Sequence, residues 1–394
     1  MKNIVLLLLV SSIFVFIFSC SDNKGSFQED FISCSDGLQN GDETAIDCGG
    51  SCPSICPTPN SLQGVIVINT TLDDFDEYIL TGPLLIRDKT TLFIPKGVTI
   101  KALPNKNAYI AVNQGGRIVI DGTKEEPVIF TSAAEIPVAG DWGGLLLCGF
   151  APVNTGINSK TEIANYFYGG EDENDSSGSI RFLRIEYTGA TAENEKLFNA
   201  ISFFGVGKNT RLENIQVFES LGEGFKFFGG SANTNWLMAT NVLKSGISIT
   251  DGWNGTSNFN YISGTNSVGI RIANNTTLQN VSPKTNATLT AISLVGSFNN
   301  GAFLFTDGGG GANITNVFTS NVNVAFQITG QNAIESVNAD NFKINGIEFF
   351  NKPPNFSITN YMGSNPQFYQ EAISIGAGNK ENLPEWANGW TNGF

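Results

Sequence analysis

A four-residue pattern recurs through the chain and restricts its fold more than any other feature: a small residue, an apolar one, an outward-facing one, then a second apolar one. It occurs as Ala200-Ile201-Ser202-Phe203, Gly224-Phe225-Lys226-Phe227, Gly246-Ile247-Ser248-Ile249, Gly269-Ile270-Arg271-Ile272, Ala302-Phe303-Leu304-Phe305, Ala325-Phe326-Gln327-Ile328 and Gly346-Ile347-Glu348-Phe349. The first residues of these units (200, 224, 246, 269, 302, 325 and 346) are separated by 24, 22, 23, 33, 23 and 21 positions. About 22 residues accommodate three short strands and three corners, which is one coil of a right-handed parallel β-helix. A single coil cannot bury its apolar face, so coils stack at about 4.8 Å and share one continuous core. The small residue is expected at a tight corner, and the two apolar residues are expected inside, each above its equivalent in the coil below. The 33-residue gap is a coil plus a polar insertion, Asn274 to Asn286. A leucine-rich repeat would need a Leu/Asn signature that is missing, and a propeller needs a period about twice as long.

Less regular coils are expected upstream, with strands at residues 84–87, 91–94, 98–101, 109–112, 117–120 and 128–131. The 44 glycines, low charge (15%) and abundant β-branched and aromatic residues fit an all-β chain with many turns, and no helix of useful length is expected. Residues 58–360 are assigned to the β-helix. Residues 361–394 are assigned to a capping segment, in which Pro384-Glu385-Trp386 and Gly389-Trp390 close the open last coil or, alternatively, form a platform for a glycan.

The amino terminus carries an address. Lys2 precedes an apolar run from Ile4 to Phe18, the right length for a signal-peptide core and too short for a stable membrane span. The run ends in Ile17-Phe18-Ser19-Cys20, which resembles the bacterial lipoprotein box: residues 1–19 are the leader and the Cys20 thiol receives the lipid. Two or three acyl chains such as palmitate, at about 0.8 kcal/mol per buried CH₂, hold durably where one does not. The expected location is the outer membrane, facing outward. Without the leader, 21 basic residues face 36 acidic ones, a net charge of −15, which excludes ordinary electrostatic binding to nucleic acid.

A polar tether (residues 20–33) leads into a cysteine-rich stalk (residues 34–57). Cys34, Cys48, Cys52 and Cys56 form an even set in an oxidising location, the condition for two disulfides, and three pairings are open. Asp36, Asn40, Asp42 and Asp47 alternate with turn glycines, so they either wrap a Ca²⁺ ion or form solvated acidic turns. The segment is similar to "DG-x-x-NGDE … DCGG-x-C" modules that follow the anchor in exported Bacteroidota-type proteins, and that similarity implies a spacer.

A wider resemblance rests on "GGRIVIDGTKEEPVIFTS" (residues 115–132), "GDWGGLLLCGFAPVN" (140–154), "YGGEDENDSSG" (168–178), "IRFLRIEYTGA" (180–190) and "FKFFGG" (225–230). Over about residues 62–260 the body resembles Bacteroidota-type exported lipoproteins with a parallel β-helix of undefined activity. The resemblance implies the fold and no particular reaction.

The absence of histidine removes histidine-based triads, dyads, general bases and metal ligands. Cys148 therefore has no histidine to activate it and is expected to be a small buried hydrophobe. Glycoside hydrolysis needs two carboxylates converging across a groove, and elimination needs a base beside cation-binding acids. Among the outward positions of the repeats Glu348 is the lone acid, and Lys226 and Arg271 lie on outward positions of nearby coils with no acidic cluster in that column. Acids cluster in an early turn at residues 73–77 and in the long insertion at Glu171, Asp172 and Asp175; for the second cluster the alternatives are a Ca²⁺-ordered loop and a solvated one. The expected function is non-catalytic binding or assembly at the cell surface, with a glycan or another outer-membrane protein as partner. The alternatives are a calcium-assisted carbohydrate-active enzyme and an accessory subunit of an outer-membrane complex. A groove lined by acids together with Lys226 or Arg271 would favour the enzyme.

Overall fold

The computed structural model describes residues 34–35, 50–52, 60–73 and 77–393. The chain forms two compact units, Met1–Thr58 and Pro59–Phe394. In the first, Cys34 is disulfide-bonded to Cys52. The leader, Cys20, Cys48, Cys56, Asp36, Asn40, Asp42 and Asp47 lie outside the described residues, as do Asp74 and Asp76.

The second unit is a parallel β-helix. Its early strands, Glu77–Ile86, Thr91–Pro95, Thr99–Ala102, Ile110–Val112, Arg117–Asp121 and Val128–Ser132, lie within a few residues of the expected ones, the first extending further upstream. Later coils use two strands each, one short and one long. The short strands Ile201–Val206, Phe225–Gly230, Ser245–Thr250, Val268–Ala273, Phe303–Thr306 and Val324–Ile328 stack in parallel register. Their first inward column runs Ile201, Phe225, Ile247, Ile270, Phe303, Phe326, continuous upstream with Leu145, Ile110 and Leu84. These side chains are buried because alternate residues of a strand point to opposite faces. Each large one contributes roughly 1.5–3 kcal/mol. In the second inward column, Phe203 and Phe227 stack with centroids 4.8 Å apart and an interplanar angle of 18°.

The long strands Gly178–Thr188, Arg211–Ser220, Thr234–Val242, Thr256–Asn266, Asn286–Phe298, Gly311–Ser320 and Phe342–Phe350 supply the other two faces. Each turns a corner without leaving the ladder. Phe182, Asn214, Trp236, Phe259, Ala291, Asn316 and Gly346 share one register position, and all have φ between 46° and 82°. A left-handed residue every coil costs roughly 1–2 kcal/mol where it is not glycine, and the uninterrupted pairing on both sides offsets it.

This geometry corrects the seventh repeat. Gly346-Ile347-Glu348-Phe349 does not extend the short-strand stack: Gly346 lies at the long-strand corner in register with Asn316, and Ile347 pairs with Val317. The next short strand is Ser357–Thr359, which pairs with Val324 and Phe326. A small residue followed by inward apolar residues arises at either corner, so the pattern alone cannot tell the columns apart. A second correction is the helix Gln331–Asn338, which fills a corner and buries Ala333 and Val337, four residues apart on one face.

The third correction concerns the carboxyl-terminal segment. Its first part does close the last coil, with Tyr369–Glu371 paired to Phe342–Phe350 and Phe368 buried against Phe326 and Phe342; the part that carries Trp386 and Trp390 instead runs back along the outer side of the long strands. The column beneath it is Arg184, Gln216, Met238, Tyr261, Ser293, Phe318 and Glu348. Ser374 N–H donates to Glu348 (2.9 Å), Ser293 Oγ to Lys380 O (2.8 Å), Tyr261 OH to Glu381 O (2.6 Å) and Gln216 Nε2 to Asn392 O (2.8 Å). Trp390 is buried edge-on against Phe182, which rules it out as a glycan platform. The outward column carries Met238, Tyr261 and Phe318, whose apolar surface the strap removes from water.

Candidate functional site

The short-strand face differs along its length. Over the coils from Tyr109 to Phe228 it is covered by the insertion after Cys148, whose Val153, Ile163 and Tyr168 form a second apolar cluster with Leu146, Cys148, Phe204 and Phe228 on the outer side. Tyr168 contacts Phe204 at 5.0 Å, and Phe204 stacks on Phe228 at 4.2 Å. Cys148 is fully buried there, and burial pushes its thiol well above the ordinary range, as befits an unreactive packing residue.

Asp175 helps hold this insertion down. Burial raises its carboxyl above the usual range, partly opposed by the nearby backbone N–H groups of Phe150, Gly207 and Ser176. A Cβ on Gly207 would meet the Asp175 backbone at 2.5 Å, so only glycine allows this approach. Asp172 turns back to the Asn174 N–H (2.9 Å), and Glu171 is exposed. Glu171, Asp172 and Asp175 therefore do not converge. Among the described residues no group of three or more Cys, Asp or Glu side chains gathers around a metal position.

Cover ends at Lys226, whose Nζ lies 3.0 Å from Glu162 Oε1 at the insertion's tip and 4.3 Å from the Phe228 ring centroid. Beyond it the face opens into a groove of about 370 Å³, lined by Glu223, Lys244, Ser245, Ser267, Val268, Arg271, Asn300, Leu304, Gln327 and Thr329. Its floor is the outward column of the quartets: Arg271, Leu304, Gln327. Arg271 pairs with Asp307 and lies over the buried Ser248 (3.5 Å). Glu223 is nearly buried and accepts from Ser245 N–H at 2.7 Å.

Lys226 and Arg271 thus have acidic company after all. Asp251 and Asp307 follow the short strands at one corner position, with Asn274 in register between them. Asp251 accepts from Thr250 Oγ1 (3.1 Å), and burial pushes its carboxyl up to about 6, against the pull of Thr250, Lys226 and Arg271 and with the repulsion of Glu162. Asn154 of the insertion bonds to Asn274 O (3.0 Å) and Pro283 O (3.1 Å), tying the insertion to the same corner. A row of donors and acceptors beside a carboxylate near neutrality can hold sugar hydroxyls and exchange a proton.

Glu348 lies elsewhere, under the strap, where burial is outweighed by Ser374 N–H and Lys380 (2.9 Å), which hold its carboxyl below the ordinary range. Glu77 pairs with Lys101 at 2.5 Å. A larger cavity of about 550 Å³ lies where the later long strands begin, lined by Lys284, Thr285, Asn286, Asn313 and Lys343 among others. Thr285 accepts from the Gly252 N–H and its own N–H donates to Asn274, so this cavity adjoins the corner of Asp251, and Lys343 there is paired with Asp340 at 3.4 Å.

The chain matches the family described as the pectate-lyase like beta helix domain over residues 64–391, and it belongs to that family. No curated protein and no solved structure matches it.

Proposed function

We propose that this is a lipid-anchored protein of the outer membrane whose β-helix binds a polysaccharide along the short-strand groove. The observation that carries this is the set of polar side chains that successive coils supply to the groove, Glu223, Lys244, Arg271, Asn300, Gln327 and Thr329, around the apolar Leu304 on its floor. A polymer with hydroxyls and apolar ring faces along its length meets donors, acceptors and an apolar contact on coils about 4.8 Å apart. Support for the anchor is the Cys20 box, which calls for lipid at a location where glycans are the common partner. The acidic balance argues against nucleic acid.

Affinity electrophoresis through gels holding homogalacturonan, alginate, xylan, mannan or dextran tests the proposal. Retardation is expected in at least one, with a loss of about tenfold or more in affinity for Arg271→Ala, the magnitude of a charge-assisted hydrogen bond. Free migration in all of them, or retardation unchanged by the variant, would refute it.

Catalysis is the second reading, favoured by Asp251, whose near-neutral carboxyl stands among Lys226, Glu162 and Arg271. On that reading the retarding polysaccharide is shortened over hours, and Asp251→Asn stops the shortening while leaving retardation intact. An unchanged chain-length distribution sinks it.

A further inference from the structure

We infer that the face formed by the long strands ahead of their left-handed corner binds ice. It lies apart from the short-strand groove and does not depend on glycan binding. In four successive coils two small, neutral polar residues flank one buried residue. Thr256, Thr288 and Asn313 stand in register, and the Thr256 N–H donates to Asn233 Oδ1 (2.8 Å) on the coil before. Two residues further on, Asn235, Asn258, Thr290 and Thr315 form a second column. Between the columns Thr234, Ser257, Leu289 and Ile314 are buried, so strand alternation turns both columns to solvent. The strap covers the column beyond the corner, at Gln216, Tyr261 and Ser293, and leaves Asn233, Thr288 and Asn313 exposed.

The array is ordered in two directions. Coils repeat at about 4.8 Å and alternate residues of a strand at about 6.6–6.8 Å, each within about a tenth of an oxygen repeat on a prism face of hexagonal ice. Its side chains are held for that match: Asn258 Nδ2 donates to Asn235 Oδ1 (3.0 Å), and β-branched threonines have few rotamers. A charge inside the array would keep its own hydration shell and disrupt a lattice of water. The charges of these columns stand at their ends and are paired, Arg211 with Glu213 (2.7 Å) and Lys343 with Asp340 (3.4 Å). A crystalline polysaccharide calls instead for exposed ring faces. The aromatic pair beside the array, Trp236 and Phe259, turns its faces on itself, with centroids 6.0 Å apart and planes at 14°.

Slow growth of an ice hemisphere from a dilute solution of the fluorescently labelled full-length protein in detergent tests this. The protein is expected to enter the ice, whereas labelled micelles alone are excluded. Thr288→Tyr, which sets a ring in the middle of the array, and Asn313→Asp, which adds a charge without bulk, should each lower incorporation about tenfold or more. Thr288→Tyr should leave retardation in the polysaccharide gels unchanged, so the two surfaces can fail separately. Exclusion of the unaltered protein from ice overturns the inference, and so does incorporation that both variants retain. Adsorption to microcrystalline cellulose or chitin without entry into ice assigns the face to a crystalline polysaccharide and overturns it equally.

Discussion

Replacing Asp251 by asparagine should stabilise the protein at alkaline pH and leave it nearly unchanged in acid. The side chain is 7% exposed, and burial raises its carboxyl from 3.8 to about 6. A carboxyl whose folded pKa exceeds its unfolded one binds protons more tightly when folded. Its favourable contribution is complete below about pH 4 and is lost as pH rises through about 6, leaving a cost above that. The two-unit shift corresponds to about 3 kcal/mol at about 1.4 kcal/mol per unit, an upper bound for the gain on removing the charge. Asparagine keeps the oxygen that accepts the Thr250 hydroxyl at 3.1 Å. Urea unfolding of both proteins at pH 8 and pH 4, followed by circular dichroism, measures the difference. The expected result is a higher midpoint for the variant at pH 8 and coincident curves at pH 4. A lower midpoint at pH 8 would mean that attraction to Lys226 and Arg271 exceeds the cost of burial, and the account of this cluster would be wrong.

Three further predictions follow from other parts of the chain. Cys20→Ser should move the protein from the membrane fraction to the soluble one and abolish incorporation of an alkyne-tagged fatty acid; persistence of the label would remove the anchor. Phe227→Ala deletes a ring packed between Phe203 (4.8 Å) and Trp253 (4.9 Å) and should cost about 3–5 kcal/mol in chemical denaturation. A cost under 1 kcal/mol would contradict a tightly stacked interior. Trp390→Ala should loosen the strap first: hydrogen exchange is expected to rise in residues 376–392 and in the long strands beneath them, with the short-strand face unaffected. Uniform exchange across both faces would show that the strap is not a separable layer.

The solenoid was legible because its signal is periodic. Two apolar residues per quartet, repeated about every 22 positions, need a stack, and the stack fixes which side of each strand faces inward. The acid-base cluster was half legible. Asp251, Asn274 and Asp307 stand two residues after Ile249, Ile272 and Phe305, so extending the repeat by two positions places them in one corner column. Glu162 carried no such signal, because it arrives from an insertion that obeys no period. Gly346 was misplaced because both corners accept a small residue ahead of an inward one. The strap had a signal in Met238, Tyr261 and Phe318, apolar residues in an outward column, which call for cover without saying from where.

Local pattern by itself therefore determined the coil, the core columns and the histidine-free chemistry available, since each depends on residue type and spacing alone. Tertiary structure alone decided where the face is closed and where it is open. The insertion over Phe204 and Phe228 and the strap over Tyr261 are held by contacts between segments far apart in the chain. No spacing encodes such contacts, because non-periodic segments dock wherever apolar area and unpaired donors are left by the stack. The groove at Arg271 lies on the part of the short-strand face beyond the insertion's cover.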